Sequence, residues 1–144
     1  STGGLAAIEN PKRILGQLHG HAIRFWAGAG RSDLIVGEGL ENTLSIGTAL
    51  PEFDLASCLT ATHLGLFIPS PGIQRIWIAR DNDDAGRNAS IRLRNQLEYR
   101  GISCGYLVPE LGDFNDDLRT FGRDALRRSL LGAMKANGLE IEDG

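Results

Sequence analysis

The sequence predicts an α/β fold: a mostly parallel four-stranded sheet with helices on both faces. From residue 34 to residue 136, short and continuously apolar segments alternate with longer segments whose apolar residues recur every three or four positions. The first kind is typical of strands covered on both faces, and the second of amphipathic helices. Their alternation indicates right-handed βαβ units and therefore a parallel sheet.

The first half of the chain supplies two of these strands. Residues 1–32 are expected to form a lead-in and connector, with a strand-like segment at His21–Trp26, and residues 33–144 to form the domain itself. Leu34–Val36 is the first predicted strand. A helix is predicted over Glu41–Leu50, ended by Pro51, and residues 57–63 are predicted to form the second strand.

The second half repeats the pattern after a turn at Pro69–Gly72. The predicted elements are a third strand over Arg75–Arg80, a helix that begins after Asp83 or Asp84 and ends at Gly101, a fourth strand over Ser103–Val108, and a last helix over Asp124–Ala136.

Composition restricts the classes of function. The 144 residues suffice for one domain with a buried core, and 42% hydrophobic with 23% charged residues is ordinary for a globular protein. A net charge of −3 excludes an overall basic field, so a nucleic-acid partner would require metal ions or local arginines. Cys58 and Cys104 are interpreted as core residues. With no signal peptide and no apolar run of about 20 residues, we expect a cytoplasmic protein without membrane contacts.

Acidic residues follow three of the predicted strands. Glu38 follows the first strand between two glycines, Asp81 and Asp83 follow the third, and the segment GDFNDDL (112–118) comes after the fourth. Each acid alone also fits a simpler role, as a helix cap, a first-turn residue or a solvent-exposed loop acid. Because sites in parallel sheets form beyond the carboxyl ends of strands, we expect the three groups to converge.

The chemistry of these groups favours a hard cation. Oxygen ligands without a neighbouring His or Cys favour Mg²⁺ or Mn²⁺ over zinc. The glycines beside Glu38, Gly37 and Gly39, leave room for a phosphate to approach. The sequence therefore predicts metal-assisted phosphoryl or nucleotidyl transfer, with Asp81 and Asp83 placed together because a divalent ion neutralises them.

The motifs LIVGEGLENTLS (34–45), IWIARDNDDAG (76–86) and GDFNDDL, in this order, resemble the Toprim domain of bacterial-type primases, topoisomerases and small nucleases. EGLENTLS and DNDDAGRNA are most similar to the primase-type Toprim of plasmid, phage and other mobile-element replication proteins. Topoisomerases need a catalytic tyrosine in another domain, and Tyr99 and Tyr106 are not placed as nucleophiles.

The resemblance implies a role for each acid. Glu38 would be the catalytic acid or base, Asp81 and Asp83 would hold Mg²⁺ or Mn²⁺, and Asp113 and Asp116 would add acidic support or a second metal. Asp117 stands where the family usually has an apolar residue, which leaves the register of this last motif open. Gly39, Arg80 and Arg87 are the predicted contacts to phosphate or nucleic acid.

The leading hypothesis is a primase domain that makes RNA primers from NTPs on single-stranded DNA. The alternatives are a metal-dependent Toprim nuclease with the same acids and a noncatalytic module that binds DNA or a helicase. The chain contains no zinc ribbon and no helicase P-loop, so we expect it to be part of a longer protein with a helicase domain or partner.

The net charge generates a first prediction. Binding of this chain to single-stranded DNA should be weak and should fall by an order of magnitude or more between roughly 50 and 200 mM salt, since a few arginine–phosphate contacts carry it. Fluorescence anisotropy with a labelled oligonucleotide and no divalent ion measures this. Tight binding at the higher salt concentration would contradict the prediction.

Overall fold

A computed structural model describes residues 13–19, 22–26 and 32–138, and for residues 13–19 and 26 it describes the backbone alone. The described strands are β1 (Arg13–His19), β2 (Ala22–Trp26), β3 (Asp33–Glu38), β4 (Asp54–Cys58), β5 (Arg75–Ala79) and β6 (Ser103–Leu107). The described helices are α1 (Leu40–Ala49), α2 (Ala61–Gly65), α3 (Asp84–Tyr99), α4 (Phe114–Phe121) and α5 (Arg123–Ala136).

The strands form one sheet in the order β1-β2-β4-β3-β5-β6. Strand β3 pairs in parallel with β4 and with β5, and β5 pairs in parallel with β6, which confirms the four predicted parallel strands. An antiparallel hairpin, β1–β2, extends the sheet beyond β4, with Ala22 opposite Cys58 and Phe25 opposite Leu55. The described part of the expected lead-in thus adds two strands to the same sheet.

The predicted position of the second strand, residues 57–63, is wrong. Strand β4 begins at Asp54, and the chain forms the short helix α2 from Ala61. Thr60 starts this helix, because its side-chain oxygen accepts a hydrogen bond from the backbone N–H of His63 at 3.2 Å. Threonine favours strands and helix caps alike, so the sequence pattern alone does not separate the two.

Helices cover both faces of the sheet, as predicted. On one face, α1, α4 and α5 pack on alternate strand residues that include Ile35, Leu55 and Trp77. On the other face, α2 and α3 pack on residues that include Val36 and Ile78. Two apolar layers therefore hold the sheet rigidly, and its carboxyl edge carries the polar loops. No helix among the described residues is both long and apolar enough to cross a membrane.

Gly105 lets the Trp77 ring lie flat against β6. The two residues are paired across β5 and β6, and a Cβ atom on Gly105 would approach the indole Cε3 to 2.7 Å. Trp77 is fully buried in the core, and its Nε1 donates to Asp33 Oδ2 at 3.3 Å. The ring has no room to move away without opening the core.

Gly105→Ala should therefore lower the free energy of unfolding by about 1–3 kcal/mol, the usual cost of overpacking. Urea denaturation followed by circular dichroism measures this. Gly132→Ala is the matched control, because Gly132 lies inside α5 with open space at its Cβ position. In a helix interior this change should stabilise by about 0.5–1 kcal/mol. Equal effects of the two substitutions would show that Trp77 is not tightly packed.

Candidate active site

The three acidic segments lie at one edge of the sheet. Glu38 is the last residue of β3, Asp81 and Asp83 follow β5, and Asp113 lies in the turn between β6 and α4. Because β5 is hydrogen-bonded to both β3 and β6, its acidic turn lies between the other two segments. The sheet order thus brings together residues that are far apart in the sequence.

Asp81 is the centre of this acidic group. Its partial burial, and then the negative charges of Glu38, Asp83 and Asp113, raise the pKa of its carboxyl to about 6. The Asn42 side chain opposes this rise, since its Nδ2 donates to Asp81 Oδ1 at 2.6 Å. Carboxylates from all three segments therefore lie close enough to Asp81 for their negative charges to raise its pKa.

Glu38 is half-buried beside the first residue of α2. Burial and the charge of Asp83 raise the pKa of its carboxyl, while a hydrogen bond from the Ala61 backbone N–H lowers it. Gly39 follows with φ +84°, a conformation that favours glycine, and turns the chain into α1. The Gly39 N–H donates to the Cys58 carbonyl at 2.8 Å, so this N–H is engaged within the sheet edge.

Two of the acids also begin helices. Asp83 is the N-cap of α3, and its Oδ1 accepts from the Gly86 N–H at 2.6 Å. Asp113 is the N-cap of α4, and its Oδ1 accepts from the Asp116 N–H at 2.8 Å. Each of these hydrogen bonds uses one carboxylate oxygen, and each cap fixes its acid beside a helix N-terminus.

The turn that carries Asp113 is held from both sides. Buried Asp117 accepts hydrogen bonds from the backbone N–H groups of Glu110 and Leu111, at 2.8 and 2.9 Å. From the β5 side, Asn82 Nδ2 donates to the carbonyls of Pro109 and Leu111, at 2.9 and 2.8 Å. The acid at position 117 thus fixes the turn from within the fold.

Three predicted site residues lie outside the acidic group around Asp81. Asp116 pairs with Arg119 at 2.5 Å, and Arg87 pairs with Asp84 at 2.9 Å, both on exposed helix surfaces. Arg80 stacks on the ring of Tyr106, 5.6 Å from its centroid, and its buried Nη1 has no hydrogen-bond partner among the described residues. The three side chains are engaged with these neighbours rather than with Asp81.

The donor set fits a divalent cation in its chemistry. The charged groups near Asp81 are all carboxylates, the ligands that Mg²⁺ and Mn²⁺ prefer. After its burial, their negative charges raise the pKa of Asp81, and a cation would offset those charges. In the described part of the chain, no three His, Cys, Asp or Glu side chains form a ready-made metal-binding group.

Sequence reasoning did not assign the three asparagines of the site, Asn42, Asn82 and Asn115. Each hydrogen-bonds across elements, and Asn115 accepts from Ser45 Oγ at 3.2 Å. Asn42 and Asn115 stand inside two of the quoted acidic motifs, and Asn82 stands between the two acids of the third. An asparagine within each acidic motif is the feature of the sequence that indicates these supporting residues.

The raised pKa of Asp81 predicts how stability depends on pH. The folded metal-free protein holds this proton up to about pH 6, whereas the ordinary value is 3.8, so stability is lost as the pH rises through this interval. Asp81→Asn removes the loss. At about pH 7.5 it should raise the free energy of unfolding by about 1 kcal/mol, a value discounted for solvent screening of the half-exposed group.

Urea denaturation of both proteins without metal, near pH 7.5 and below pH 4, tests this; the gain should vanish at the lower pH. Asp84→Asn is the matched control, because Asp84 is exposed at the start of α3 and pairs with Arg87. It should not stabilise the protein. A stability of Asp81→Asn equal to that of the wild type at both pH values would contradict the proximity of the acids.

Comparisons with known proteins agree with this geometry. The family model described as Toprim domain matches residues 33–124. The fold is similar to the crystal structure of the Aquifex aeolicus primase (zinc binding and RNA polymerase domains), with TM-score 0.60 and 23% identity over 88% of this chain. It is also similar to a DNA primase domain from Pseudomonas aeruginosa, with TM-score 0.59 and 22% identity over 80% of this chain.

The chain spans 33% and 39% of the lengths of those two structures. No curated protein matches it. The family match covers all three acidic segments, from Glu38 to Asp116, and more than half of the sequence. The chain therefore belongs to the Toprim domain family.

Proposed function

We propose that this domain is the nucleotidyl-transfer core of a primase, which makes RNA primers on single-stranded DNA during replication of a plasmid, phage or other mobile element. The observation that carries the proposal is the convergence of acids from three segments at one sheet edge. Glu38, Asp83 and Asp113 lie close enough to Asp81 for their negative charges to raise the pKa of its carboxyl. Family membership and the likeness of the fold to primase domains support it.

The acids take different roles in this proposal. Asp81 and Asp83 would hold Mg²⁺ or Mn²⁺, with Asp113 and Asp116 as further acidic support. Toprim domains generally bind Mg²⁺. When bound, a divalent ion supplies positive charge to phosphate oxygens and to the hydroxyl oxygen that attacks them.

Glu38 is proposed as the acid or base. Its carboxyl lies at the same edge of the sheet as the turn with Asp81 and Asp83 but on a different strand. It can therefore face the reacting hydroxyl while the two aspartates hold the metal ion. Burial and Asp83 raise the pKa of Glu38, which makes its carboxylate a better proton acceptor than an ordinary exposed one. In a primase, the proton would leave the primer 3′-hydroxyl.

The flanking arginines are proposed to contact the nucleic acid. Arg87 lies in the first turn of α3 and is about half-exposed when paired with the exposed Asp84, so a phosphate could take the place of that partner. Arg80 precedes Asp81 in the sequence and carries a guanidinium group that stacks on Tyr106, and Gly39 leaves space at the turn. The partners would be single-stranded DNA, NTPs and a helicase domain or protein.

Glu38→Gln tests the proposed catalysis. Glutamine keeps the shape of the side chain but cannot accept a proton, so primer synthesis by the full-length protein should fall by about 10²-fold or more. Primer synthesis on a single-stranded template and, separately, cleavage of single-stranded DNA with Mn²⁺ are measured. Glu98→Gln is the control, because Glu98 lies in the last turn of α3, paired with Arg94, away from the sheet edge.

The two assays separate the hypotheses. Loss of synthesis alone supports the primase, and loss of cleavage alone supports a Toprim nuclease. If Glu38→Gln keeps both activities of the wild type, the noncatalytic module is the hypothesis that remains. Circular dichroism and template binding should remain as in the wild type, because Glu38 is only partly buried and is not a predicted phosphate contact.

A further inference from the structure

The side-chain amide of Asn42 joins two of the three acidic segments. Its Nδ2 donates to Asp81 Oδ1 at 2.6 Å, and its Oδ1 accepts from the backbone N–H of Asn115 at 3.1 Å. Asn42 lies in the first turn of α1, and Asn115 lies in the first turn of α4, two residues after Asp113. One side chain thus spans elements that are 39 and 73 residues away in the sequence.

Further contacts hold α4 against α1. Ser45 Oγ donates to Asn115 Oδ1 at 3.2 Å, and Asn115 Nδ2 lies 3.4 Å from Glu41 Oε1. Among the described contacts between these two helices, only the one made by Asn42 continues to Asp81. Asn82 holds the backbone of the Asp81–Asp83 turn against the Asp113 turn through the carbonyls of Pro109 and Leu111, whereas Asn42 holds the Asp81 carboxylate itself.

An amide suits this position for a chemical reason. It has both a donor and an acceptor, so it satisfies a carboxylate oxygen at one end and a backbone N–H at the other. A lysine or arginine would also donate to Asp81, but its charge would cancel the negative potential that attracts a cation. Asn42 orients the carboxylate and leaves its charge in place.

We propose that Asn42 is a positioning residue. It fixes the Asp81 carboxylate relative to the turn that carries Asp113, so that both acids can face one divalent ion. This inference rests on the proposed function, because it assigns Asn42 a purpose at the same metal site. Residues that orient metal ligands usually contribute 10-fold to 100-fold in metal affinity, here taken as about 10-fold for one hydrogen bond.

Asn42→Ala is compared with wild type in two measurements. In metal-free protein, NMR hydrogen exchange of the Asn115 backbone N–H should accelerate roughly fivefold or more, since its acceptor is lost. Calorimetric titration with Mn²⁺ should show affinity weakened by about 10-fold or more. Thr48→Ala is the matched control; it removes a hydroxyl of the same helix that donates only to Leu44, so it should change neither quantity.

Asn42→Ser accompanies these variants, because serine is too short to reach both partners and keeps a polar group should alanine not fold. Unchanged exchange at Asn115 in a folded variant overturns the bridge. Faster exchange together with an unchanged Mn²⁺ affinity overturns the positioning role. Asn42 would then only connect α1 and α4 structurally. Wild-type protein that binds no Mn²⁺ overturns the proposed function, a failure recognised because it appears without any substitution.

Discussion

Repulsion among carboxylates at one sheet edge is the constraint on which the rest of this site depends. The fold offsets it with backbone N–H groups for three of the acids: Glu38 accepts from Ala61 at the start of α2, while Asp83 and Asp113 cap α3 and α4. Asp81 instead accepts from the neutral amide of Asn42 and lies among the other three. Partial burial and then the charges of these three acids raise the pKa of the Asp81 carboxyl to about 6.

The sequence predicts a parallel strand correctly where burial on both faces is the only explanation for a continuous apolar run. Leu34–Val36 and the centre of Arg75–Arg80, Ile76–Ala79, are apolar because helices cover both faces of the sheet, so burial alone identifies these two strands. Residues 57–63 fail because Thr60 caps a helix in a segment that also suits a strand. The convergence of the acids follows from strand order, a property of the whole sheet.

The polar contacts of the site are less predictable than its acids, because they depend on distances between segments. Asp117 appears in the sequence as a departure from the family pattern, and the structure shows its carboxylate satisfying two backbone N–H groups of a buried turn. Asn42 and Asn82 similarly donate hydrogen bonds to Asp81 and to the Pro109 carbonyl, which are distant in sequence and come close only in the folded chain. The spacing of the motifs identifies the acids. The side chains that hold these acids and their turns in place can be identified only from the tertiary structure.

The described arginines closest in sequence to the site acids are engaged with other groups. Arg87 and Arg119 pair with Asp84 and Asp116 on exposed surfaces, and Arg80 stacks on Tyr106. Asn42 contributes no charge, so the group around Asp81 keeps its negative potential. A chain that needed only stability would gain by replacing one acid with an amide. Retaining four acids at this edge is consistent with a cation, supplied from outside the chain, as the group that balances them.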